Sequence, residues 1–250
     1  MTRQRRHTPA RVRTRRLDPA PRACHQHRMS RLLIILALLG LTPLRADAQE
    51  YIEVPGLISD EAFYRLVACA APPDGPCNKP FIRWPEDRRL SLRIGIAQIA
   101  PGFPDYRFDL VDVALDDAID EINGAGAHLF LERAYEPPFD IPLHLVGARQ
   151  GGRITGTGVP ELDGSDIAIG RVAIRSRGAE ITAAAIAISA DIRRREIASV
   201  VLEELVQAMG LVTDIDSPAY ERSIFAENGN STVRLRGQDL AALRRHYPRL

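Results

Sequence analysis

Residues 202–211 read LEELVQAMGL. Successive residues of a helix turn by about 100°, so residues four apart share a face. Glu203 and Gln207 then point the same way, one turn apart, and two oxygen donors so placed can grip one cation. Glu204 is turned to the side, where a carboxylate can take a proton from a water molecule. Asp214, just beyond the helix, is a third oxygen donor. A set made only of oxygens suits Ca²⁺, Mg²⁺ or Mn²⁺ better than Zn²⁺. The same residues also have a plainer reading. Glu196, Ser199, Glu203, Glu204 and Gln207 form a polar arc, and Ile197, Val201, Leu202, Leu205, Val206 and Met209 an apolar one, as on any amphipathic surface helix.

These residues need a scaffold to position them. Asp191 is a capping residue type and Gly210 a stop, which predicts a helix from 192 to about Met209. Upstream, LSLRIGIAQI (90–99) alternates as a strand does. Phe108, Val111, Leu115, Ala118, Ile119 and Ile122 follow at helical spacing, with Asn123-Gly124 as the expected stop. Strand-like runs then occur at 128–134, 141–147, 167–174 and 181–190, separated by a Gly-rich loop from Ala148 to Asp166. GQDLAALRRHY (237–247) predicts a last short helix. This order implies an α+β fold. The Gly-rich loop lacks G-x-x-x-x-G-K-[ST], no serine stands in a G-x-S-x-G setting, and no dinucleotide fingerprint is present.

The stretch after residue 198 carries a resemblance. Glu203 and Gln207 stand where a zincin helix, H-E-x-x-H, has its histidines; Glu204 stands at its general base and Gly210 at the glycine of the longer motif. Ala208-Met209-Gly210-Leu211, then Ser223-Ile224-Phe225, then LRGQDLAALRRHY resemble the C-terminal half of a matrixin-type metzincin. In that family the helix ends A-L-G-L, an S-x-M turn lies beneath the metal, and a short helix closes the domain. The chain is similar, more specifically, to a proteobacterial family of exported proteins and lipoproteins catalogued as a domain of unknown function. Its members carry E-E-L-x-Q-x-x-G-L, an Asp-containing loop, S-I-F and an L-Y-x-P-R-L ending; here the last reads His246-Tyr247-Pro248-Arg249-Leu250.

The metzincin resemblance implies a mixed twisted sheet, two main helices and a short C-terminal helix over residues 89–250. It assigns Glu204 as general base, Glu203, Gln207 and Asp214 as a degenerate metal set, and Gly210, Ser223 and Phe225 to structure. The departures weigh against zinc. Only His128, His144 and His246 remain beyond residue 48, and none lies on the helix. Thr213 occupies the third-ligand position, with Asp214 one residue later, and Phe225 replaces the turn methionine. A zinc site built on His, with Glu, Asp or Cys, therefore lacks its ligands.

Charge and targeting bound the function further. Residues 1–48 hold 11 of the 33 basic and two of the 32 acidic residues, which leaves 22 basic against 30 acidic, net −8, for 49–250. An acidic body argues against a nucleic-acid surface. Residues 1–28, rich in Arg and Pro, are expected to be a non-native extension from a mis-assigned start. Residues 29–48, MSRLLIILALLGLTPLRADA, have the basic residue, short apolar run and A-x-A end of a signal peptide. Export to the periplasm or beyond is expected, with no transmembrane anchor after cleavage. The segment 49–88 reads as an appendage with a short helix capped by Ser59, and Cys69 and Cys77 around APPDGP are expected to form a disulfide.

Three readings stay open at this point. The first is an exported, non-catalytic zincin-like module for an unknown protein or cell-envelope partner, with no cofactor. The second is a divalent-metal hydrolase using Glu204 as base. The third is an unrelated exported α+β domain. N-terminal sequencing of the exported protein is expected to start at Gln49; a start at Met1, or a lipidated Cys69, would refute the signal-peptide reading.

Overall fold

The computed structural model describes residues 50–229 and 231–249; the expected extension and signal peptide lie outside the described residues. Strand β1 is Glu50–Glu53 and helix α1 Asp60–Cys69; β2 is Leu92–Ile99, α2 Asp105–Gly124, β3 Leu131–Arg133 and β4 Ile141–Val146. Two short strands, β5 (Gly152–Arg153) and β6 (Asp166–Ile167), pair within the Gly-rich segment. Then come β7 (Gly170–Arg177), β8 (Glu180–Ser189), α3 (Ile197–Gln207), β9 (Thr213–Asp216) and α4 (Gly237–His246). None of the described helices is long and apolar enough to cross a membrane.

The main sheet has the order β3-β2-β4-β8-β7. Its first four strands are parallel and β7 runs antiparallel to β8, so the fold is mixed α/β on a mixed sheet. Alternation along the strands sorts side chains by size. Ile186, Ile188, Leu143, Leu145 and Val172 belong to the large core, which α2 and α3 complete. Ala173, Ala185 and Ala187 face the other way and pack with Ile154, Leu162 and Ile167 of the Gly-rich segment. Bulk is buried under the helices; alanines on the opposite face let an irregular chain approach closely.

Several boundaries differ from the sequence expectation. The α3 helix begins at Ile197, not 192. Asp191 does not cap it, because its carboxylate accepts from Ser189 Oγ (2.5 Å) and the Gln150 amide (2.9 Å), tying the end of β8 to the Gly-rich segment. α2 ends at Gly124, where the Asn123-Gly124 stop was expected, and the left-handed conformation follows at Gly126 (φ +79°). Asn123 clamps Leu131 through both its amide nitrogen and its oxygen, each at 2.9 Å. The run 128–134 yields only a three-residue strand. Ser59 caps α1 as expected, accepting from the Ala62 amide at 3.2 Å, and Cys69 and Cys77 are bridged.

The described residues of the segment 49–88, expected as an appendage, share the main core. Phe63, Leu66, Val67, Ile82 and Trp84 are buried within it, and β1 pairs in parallel with β9. This segment also closes the end of α3. Trp84 Nε1 donates to the Ala208 carbonyl at 3.0 Å, and Tyr247 Oη donates to the Met209 carbonyl at 2.7 Å while accepting from the Trp84 amide at 3.0 Å. Gly210 adopts φ +97°, and a Cβ there would meet the Ile82 carbonyl at 2.2 Å. The structural role expected of Gly210 is thus a close backbone approach.

Removing the phenol should expose the cost of this closure. A Tyr247→Phe variant leaves the Met209 carbonyl and the Trp84 amide without their buried partner. It should lose about 1–3 kcal/mol in denaturant unfolding; no measurable loss would mean that water replaces the hydroxyl.

Candidate functional site

The polar side of α3 faces inward, toward the start of β7 and the segment after β9. Gln207 is buried and its Nε2 donates to Asp214 Oδ1 at 3.0 Å. Asp214 is held by β9, in register with Tyr51 of β1. Glu204 is 6 % exposed and lies on Gly170, the first residue of β7. A Cβ at residue 170 would come within 2.3 Å of Glu204 Oε1, so glycine is what admits the carboxyl. Glu204 Oε2 is buried without a hydrogen-bond partner among the described residues.

Glu203, Glu204 and Asp214 line one cavity of about 450 Å³. Glu221 and Glu227, from the segment after β9, line it too, and Arg195 and Glu196 stand at the start of α3. Apolar walls come from Ile169, Val200 and Ala226. The arrangement gathers five carboxyl-bearing residues besides Glu196, which is paired with Arg193 (3.3 Å) and Arg195 (3.6 Å). Sequence reasoning missed Gly170, Glu221 and Glu227. Gly170 reads as an ordinary strand residue, and the two glutamates sit in irregular chain; only the excess of acids in 214–227 hinted at them.

Burial dominates the electrostatics. Glu204 is pushed well above the usual carboxylate range, first by desolvation and then by Asp214, with the Arg171 guanidinium pulling the other way. Asp214 is pushed up to about 7 by burial and by Glu227, against its bond from Gln207 and the charge of Lys79. Burial and Asp216 raise Glu227 as well.

The motifs after the helix act as supports. Ser223 Oγ donates to Asp239 Oδ1 (2.6 Å), the Ile224 amide donates to Asp239 Oδ2 (2.9 Å), and the Phe225 amide donates to Ser223 Oγ (3.1 Å). The S-I-F turn is therefore clamped to the first turn of α4. Phe225 is fully buried, its ring edge-on to Phe63 at 6.0 Å. The turn carries Ala226 and Glu227 to the cavity, and the Glu227 amide donates to the Ile215 carbonyl at 3.1 Å.

The donor set does not fit zinc. His246 Nε2 donates to the Ile82 carbonyl at 2.9 Å, His128 Nδ1 accepts from Arg89 at 2.9 Å, and His144 bonds Gln98 at 3.3 Å; none lines the cavity. Thr213 is buried and does not line the cavity either, whereas its neighbour Asp214 does. Gln207 presents its amide nitrogen, not its oxygen, to Asp214. Among the described residues no three His, Cys, Asp or Glu side chains converge closely enough to hold a metal ion.

In comparison with known families, residues 162–250 match the model of a family described as a protein of unknown function (DUF2927). The matched region starts at Leu162, upstream of the motifs around α3, and so takes in Gly170 and the antiparallel edge strand. No curated protein matches the chain.

The buried carboxyls set a pH dependence whose sign can be worked out. Asp214 titrates near 7 in the folded chain and near 3.8 when unfolded, so the folded state holds more protons between those values. Stability then falls as pH rises through that window. An Asp214→Asn variant should melt with a flatter profile from pH 5 to 8 and exceed the wild type at pH 8. Parallel profiles would show that Asp214 is ionised in the folded chain.

Proposed function

We propose that this chain is an exported, zincin-like module of the cell envelope that binds a ligand in the cavity beside α3 and does not cleave peptides through zinc. The observation that carries the reading is the Gln207–Asp214 bond. It ties the residue at the second metal-ligand position into the scaffold while the general-base position, Glu204, stays beside the cavity. The mixed sheet, the core helices α2 and α3, and α4 near the C-terminus are compatible with the fold that the metzincin resemblance implies, to which α1 is an addition. The Cys69–Cys77 bridge suits an oxidising compartment. Burial of Glu204 and Gln207 speaks against a plain surface helix, whose polar face would meet solvent.

A second reading, a divalent-metal hydrolase, has one observation in its favour: Glu204 Oε2 lacks a partner among the described residues and stands beside other carboxyls. Glu203, Gln207 and Asp214 would then be its ligands and Glu204 its base. Elemental mass spectrometry on the exported protein, purified without chelator, separates the two. The binding reading expects no near-stoichiometric metal in the wild type or in a Glu203→Ala, Gln207→Ala variant, and no metal-stimulated hydrolysis of peptides. Metal held by the wild type and lost by the variant would replace it with the hydrolase.

A further inference from the structure

Resting on the binding reading, we infer that the cavity takes an organic cation, a primary ammonium or guanidinium group such as a lysine or arginine side chain of a peptide, with Glu204 as its buried counter-ion. The charge of the lining points to the sign. Glu203, Glu221 and Glu227 line the cavity with Glu204 and Asp214, two buried carboxyls whose ionisation a cation beside them would favour, against Arg195, which already lies 3.6 Å from Glu196.

The unmet oxygen points to the position. Glu204 is more than nine-tenths buried, yet its Oε2 has no partner among the described residues, and a buried acceptor left unmet costs about 1–3 kcal/mol. Gly170 shows that the room for this carboxyl is built into the sheet, because any side chain at that position would collide with it. Arg171 on β7 lowers the cost of charge on Glu204, whereas Asp214 on β9 raises it.

Shape and spacing favour an organic cation over a metal ion. A divalent metal draws six or more oxygens to within roughly 2.0–2.6 Å, and the described acidic groups do not converge in that way. An ammonium or guanidinium accepts dispersed carboxylates at ordinary hydrogen-bond distance, each donor finding its own acceptor. The cavity, at about 450 Å³, has room for one long side chain. Ile169, Val200 and Ala226 offer an apolar path for the methylene stem, which such side chains bury while their charge stays among polar groups.

Calorimetric titration of the exported protein with Nα-acetyl-arginine amide and Nα-acetyl-lysine amide tests this, with Nα-acetyl-norleucine amide as the uncharged control. Saturable binding of a charged probe is expected, at least tenfold tighter than the control. A Glu204→Gln variant, close in shape and uncharged, should weaken that binding at least tenfold without lowering the melting temperature. Glu227→Gln, on an exposed segment, should weaken it several-fold and serves if the buried variant does not fold. Equal binding of norleucine amide, or full binding by both variants, overturns the proposal. So does displacement of the probes by stoichiometric Ca²⁺, Mg²⁺ or Mn²⁺, which would make the cavity a metal site. If no probe binds up to its solubility limit and the protein carries no metal, this ligand class is wrong while the non-catalytic reading stands. Metal-dependent hydrolysis would remove that reading itself.

Discussion

The α3 helix ends inside the protein, and the rest of the structure is arranged around that fact. The last carbonyls of a helix have no partner within it, and burying them unmet is costly. Here the Trp84 indole, 124 residues away, meets the C-cap carbonyl of Ala208, and the Tyr247 phenol, near the end of the chain, meets that of Met209 in the turn that follows. Gly210 then turns the chain where only a residue without Cβ can pass the Ile82 carbonyl. His246, neutral because burial and Arg83 hold its pKa down to about 3, donates to that same carbonyl. With its C-terminal end fixed, α3 has no freedom to rotate its polar arc outward. Gln207 reaches Asp214, and Glu204 reaches Gly170.

Much of this was legible in the sequence, for identifiable reasons. Strands and helices with strong periodicity, 90–99, 141–147, 181–190 and the helices through 108–122 and 202–207, formed where their patterns placed them, because each pattern matches one buried face. Helix ends were less legible. Asp191 is a good capping type, but a side chain that can cap can also tie distant segments together, and tertiary partners decided which. The integration of residues 50–88 was hidden because contacts such as Trp84 with Ala208 and β1 with β9 join positions far apart in the chain, which no local pattern records.

The candidate site divides in the same way. Helical spacing placed Glu203, Glu204 and Gln207 on adjacent faces of one helix, and Asp214 within reach of it. It could not give the direction of that face. The amphipathic arc that suggests a solvated surface is buried against β7 and β9 because Gly170 leaves space for a carboxyl. Glu221 and Glu227 joined the cavity only through the S-I-F turn, whose geometry depends on Asp239 in α4.

Two buried carboxyls in this protein make the functional argument by contrast. Asp239 and Glu204 are comparably enclosed, 5 % and 6 % exposed, and burial raises both. Asp239 has each oxygen occupied, one by Ser223 Oγ and one by the Ile224 amide, and its work is to hold a turn. Glu204 has an oxygen that nothing among the described residues meets, on a wall shared with other acids. A scaffold gains more from the first kind of carboxyl than from the second, since a buried polar atom left unmet is costly whether or not the group is charged. Folding alone accounts for Asp239, while the unmet oxygen of Glu204 is the feature on which the proposed cationic ligand rests.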